Sequence, residues 1–102
     1  MRFSSLTAEC RTYPDGRAEI AVDYVATAAG GARVGRVRLF VNDEIQEDSG
    51  LISSLRHVDG EIIPVQPGAK RRLRVEATPD GSPGRAVAST TIHCEGQPRP
   101  GA

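Results

Sequence analysis

The chain has 102 residues, enough for one domain and one hydrophobic core. Thirteen Lys+Arg balance thirteen Asp+Glu, which argues against a sequence-independent nucleic-acid binder while leaving room for a local basic patch. Eleven Gly, seven Pro and no Trp point to many turns around a lightly built aliphatic core, and no apolar run approaches a membrane span or a signal peptide.

The first segment, from Phe3 to Thr12, carries Leu6, Ala8 and Cys10 as its expected inward residues. Tyr13-Pro14-Asp15-Gly16 reads as a type I turn. Ala18, Ile20, Val22, Tyr24 and Ala26 then alternate with Glu19, Ala21, Asp23, Val25 and Thr27, as a strand buried on one face requires. After Gly30-Gly31, the segment Val34–Asn42 alternates in the same way. Its apolar set is Val37, Leu39 and Val41, and its outward row is Arg36, Arg38 and Phe40.

The acidic stretch Asn42–Asp48 lacks the spacing of a calcium loop, because Ile45 interrupts it and Gly50 falls after it. Gly50–Val58 suits either a strand or one to two helical turns. Asp59-Gly60 is the signal of a type I′ hairpin, and Pro64 confines the following arm to a sheet edge or a strand end. Lys70–Thr78 and Ala86–Cys94 complete the alternating segments, separated by a second Pro-Asp-Gly turn at Thr78-Pro79-Asp80-Gly81. Gln97–Ala102 has nothing to bury and reads as a disordered tail or linker beyond a single domain of residues 1–96.

About seven short strands without a convincing helix predict an all-β, seven-stranded antiparallel sandwich, with a small open β-barrel as the alternative. Val65-Gln66-Pro67-Gly68-Ala69-Lys70-Arg71-Arg72-Leu73-Arg74-Val75-Glu76-Ala77 resembles the approach to the sixth strand of fibronectin type III and related immunoglobulin-like modules. The chain departs from that family in having Arg71 where a corner tyrosine usually stands, and in lacking a core Trp. The resemblance implies an immunoglobulin-like sandwich of a class that serves as spacers, adhesion units and binding platforms rather than as enzymes.

Cys10 and Cys94 fit no zinc motif. They are either two buried thiols or one disulfide joining the first and last strands. A disulfide would place the domain in an oxidising, extracytoplasmic compartment, and free thiols would make it cytoplasmic. No nucleotide, metal or nucleophile motif is present, so no enzyme, cofactor or metal is expected. His57 and Asp59 are two apart, but the expected turn bends Asp59 away, and His93 reads as a surface residue.

The chemistry with most promise is the outward Arg36, Arg38, Phe40, Arg72 and Arg74, expected on two neighbouring strands. Like charges across a ladder repel. Either Glu44, Gln46 and Asp48, on a short following strand or loop folding back beside Arg36 and Arg38, offset them internally together with Glu76, or an anionic protein or glycan does so externally. The expected function is therefore a non-enzymatic binding or spacer module of a bacterial extracytoplasmic protein, monomeric alone. The alternative is an architectural subunit of a virion, secretion or surface assembly joined through its edge strands.

Overall fold

A computed structural model describes residues 2–81 and 83–94. They form seven strands: β1 (Arg2–Thr12), β2 (Ala18–Thr27), β3 (Val34–Val41), β4 (Glu44–Asp48), β5 (Arg56–Val65), β6 (Lys70–Pro79) and β7 (Ala86–His93). The strands make two antiparallel sheets, ordered β1-β2-β5 and β4-β3-β6-β7, with no helix and no closed barrel among the described residues. The expected tail at 97–102 lies outside the described residues.

Period-two alternation decides which side chains enter the core. Ile20, Val22, Tyr24 and Ala26 of β2 face Val37 and Leu39 of β3 and Leu73, Val75 and Ala77 of β6, all essentially inaccessible to solvent. Burying a Val, Leu or Ile side chain contributes about 1.5–3 kcal/mol, so this double layer supplies the main drive to fold.

Cys10 of β1 and Cys94, just past β7, form a disulfide with their Cα atoms 5.3 Å apart. The bridge spans a sequence separation of 84 residues and staples the β1 and β7 edges of the two sheets. Loop-closure entropy assigns such a bridge roughly 4–5 kcal/mol. The bond is compatible with an oxidising compartment.

The fold departs from the sequence pattern in the segment from Gly50 to Gly60. Asp59-Gly60 is not a hairpin turn: β5 runs straight through it, with Asp59 opposite Tyr24 and Gly60 opposite Asp23. The glycine serves a close approach instead, because a Cβ there would lie 2.7 Å from Asp23 Oδ1 and 3.0 Å from the Val22 carbonyl oxygen. Gly50–Val58 holds no helix and is not a hairpin arm, and its last three residues, 56–58, are strand. Residues 49–55 form an extended connection, tied by the Val34–Ser54 bridge, and β5 begins at Arg56. Pro64 does sit on an edge strand, since β5 ends its sheet.

Candidate functional site: the arginine face of the four-stranded sheet

β3 and β6 pair directly, which brings Arg36, Arg38, Phe40, Arg72 and Arg74 onto one outer face. The register differs from a simple arginine ladder. Arg36 lies opposite Thr78, Arg38 opposite Glu76, and Phe40 opposite Arg74, so no two arginines of the pair stand directly across from each other. The Arg74 guanidinium lies over the Phe40 ring, 4.4 Å from its centroid, a contact of about 0.5–1 kcal/mol at such a site.

Carboxylates from one neighbouring hairpin meet these arginines. β3 turns into β4 through Asn42 and Asp43, whose φ angles of 49° and 68° are the pair of left-handed residues that a two-residue hairpin needs. That turn aims Asp43 back at Arg72, which donates to Oδ2, and at Arg74, whose Nη1 is 3.2 Å from Oδ1. At the far end of β4, Asp48 accepts two bonds from Arg36, at 2.9 Å from Nε and 2.6 Å from Nη2. Arg38 Nε stands 3.4 Å from the same carboxylate. The Arg36 fork, then the Gly50 N–H, hold the Asp48 carboxyl well below the usual carboxylate range. On the other flank Glu76 takes Arg74 Nε at 3.4 Å and Arg85 Nη1 at 3.1 Å.

Of the internal partners expected from sequence, Asp48 and Glu76 therefore meet the arginines. Glu44 and Gln46 stay exposed, and Asp43 takes a place the sequence reading did not assign. Five guanidiniums share three carboxylates, which leaves surplus positive charge in the set. The Nε atoms of Arg38 and Arg74 are enclosed yet make no hydrogen bond of good geometry. Aliphatic side chains rim the face: Ile45 beside Phe40, Val87 beside Glu76, and Leu51, 88% exposed, over an open cleft shared with Arg36 and Arg38.

A second constellation lies between the sheets at the edge opposite the disulfide. His57, Asp59 and Glu61 alternate inward on β5, while Val58 and Ile62 point out. Glu47 of β4 reaches toward them, and the buried Tyr24 hydroxyl is 3.2 Å from Glu47 Oε1. His57 Nε2 stands 3.5 Å from Asp59 Oδ2, and its ring centroid 6.5 Å from that of Tyr24. Burial, followed by hydrogen bonding to Asp59 and Glu61, pushes the Glu47 carboxyl up to about 8. Asp59 is lowered, first by the bond from Glu47. The Tyr24 hydroxyl is raised by burial and then by the Glu47 charge. The i, i+2, i+4 spacing of His57, Asp59 and Glu61 was the available sequence signal, hidden by reading Asp59-Gly60 as a turn.

Among the described residues no group of three or more His, Cys, Asp and Glu is arranged to hold a metal ion. No family model, no curated protein and no solved structure matches this chain.

Proposed function

We propose that the chain is a non-enzymatic interaction module that binds an acidic protein partner through the outer face of its four-stranded sheet. The carrying observation is the set of five arginines on three carboxylates around Phe40. Surplus guanidinium donors attract carboxylates bidentately, and the Phe40–Ile45 pair with Leu51 supplies apolar contact. Aliphatic rims of this kind suit a protein better than a polysaccharide. The strand order supports reading the sandwich as immunoglobulin-like, close to fibronectin type III modules, which commonly present a sheet face to partners. The disulfide supports placing the domain outside the cytoplasm.

The test is the double variant Arg38→Glu with Arg72→Glu, titrated with polyglutamate and, separately, heparin at low salt. The expected result is loss of polyglutamate binding with the fold intact by circular dichroism. Unchanged binding overturns the reading, and binding of heparin alone transfers the face to an anionic glycan.

A second reading, assembly through edge strands, is favoured by β5, a ten-residue terminal strand with Val58 60% and Ile62 47% exposed. Self-association that is insensitive to salt would select it over the arginine face.

A further inference from the structure

Strand β4 carries two carboxylates with opposite duties. Its backbone pairs Glu47 with buried Leu39 and Asp48 with Arg38, so period two sends Glu47 between the sheets and Asp48 onto the arginine face. The strand has five residues, ends its sheet, and pairs with β3 alone. Short edge strands of this kind belong to the low-stability end of a fold. What ties β4 to the opposite sheet is Glu47.

That tie needs a proton. Glu47 Oε2 is enclosed and meets no donor, while the groups that face Glu47 from the inward row of β5 are the carboxyls of Asp59 and Glu61. Ionised carboxylates only accept, so a bond between Glu47 and either neighbour exists only while the trio holds a proton. From β2 the facing group is Tyr24, whose hydroxyl donates to Oε1. From β5, His57 stands against Asp59 rather than Glu47. On β3 the paired residue is Leu39, which offers no charge. With the proton lost, three negative charges face one another across the sheet edge.

We infer that β4 is a proton-held strap over the arginine face: protonated Glu47 latches it to Asp59 and Glu61, and loss of that proton releases the strand and lifts Asp48 from Arg36 and Arg38. The inference rests on the proposed binding role of the arginine face for its consequence, but not for the latch. Release frees two guanidiniums for an acidic partner, so binding strengthens as pH rises through the mildly alkaline range. The raised Glu47 carboxyl places the transition near pH 8. The Glu47 O–H bond breaks and its proton passes to solvent hydroxide, giving water and a carboxylate; every other change is in hydrogen bonds and ion pairs.

The experiment follows amide hydrogen exchange across residues 44–48 between pH 6.5 and 9.5, as protection factors relative to the β6 amides of the same sample. Wild type should lose about tenfold or more in relative protection, one tenfold step corresponding to a single unit of pKa difference. Glu47→Gln, which donates an N–H at every pH, should stay flat. Glu61→Gln replaces one negative charge beside Glu47 with a neutral amide, which favours the ionised form of Glu47, and should move the wild-type midpoint to lower pH. Polyglutamate titrated at fixed ionic strength should bind wild type more tightly at pH 9 than at pH 7, and Glu47→Gln equally at both. Flat protection in wild type, an equal loss in Glu47→Gln, or an unmoved midpoint in Glu61→Gln overturns the latch. Absence of polyglutamate binding by every form overturns the arginine-face reading instead, and exchange still decides the latch.

Discussion

At the scale of single residues, Glu47 and Asp48 show how little the local sequence determines an acid's chemistry. They are neighbours on one strand, yet burial beside Asp59 and Glu61 raises one while the Arg36 fork depresses the other. The sign of the pH dependence follows. Glu47 in the folded chain keeps its proton above its ordinary value near 4.5, so the folded state binds the extra proton between there and about pH 8. Its contribution is complete below the lower value and is lost as pH rises through the upper one. Asp59 acts oppositely: its contribution is present above its ordinary value near 3.8 and is lost as pH falls through its depressed folded value. Urea midpoints at pH 5.0 and 8.5 check the first claim. Wild type should lose stability between the two, and Glu47→Gln should lose less. An equal loss in both contradicts the assignment.

At the scale of elements, glycine at close approaches and charge on edge strands decide what the alternation leaves open. Gly35 sits at the irregularity where β3 crosses the end of β6, and a Cβ there would lie 2.7 Å from the Asp80 backbone nitrogen. Backbone cannot rotate away as a side chain can. Gly35→Ala should therefore destabilise the domain by about 1–3 kcal/mol in urea unfolding, and a change below about 0.5 kcal/mol would show that the β3–β6 crossing yields. Strands β2, β3, β6 and β7 were legible from sequence because each alternates a more buried, mainly apolar row with a more exposed one, the inward row of β7 being only half-buried. β4 was legible only as a short strand or loop folding back beside Arg36 and Arg38, because no apolar period marks it and its inward residue is Glu47. β5 was misread at Asp59-Gly60 because its polarity is inverted. Val58 and Ile62 face solvent while His57, Asp59 and Glu61 face in. The arginines of the face were readable as an outward row. Their partner Asp43 was not, since only the left-handed turn at Asn42-Asp43 aims it.

At the scale of the whole molecule, the two open sides of the sandwich are closed by different chemistry. Cys10–Cys94 joins the β1 and β7 edges covalently, whereas the β4 and β5 edges meet through Tyr24, Glu47, Asp59 and Glu61. A formal charge of zero conceals the separation of surplus arginine on one face from a carboxylate cluster at one edge. That separation is what the proposed binding role of the arginine face rests on in an otherwise neutral domain. The most direct measurement is a residue-resolved map of amide chemical-shift changes as polyglutamate is added at low salt, repeated at high salt. Salt-sensitive changes should cluster on β3, β4, β6 and the 49–55 connection, around Arg36, Arg38, Phe40 and Arg74. Changes confined to β5 or β7, or none at all, would contradict it.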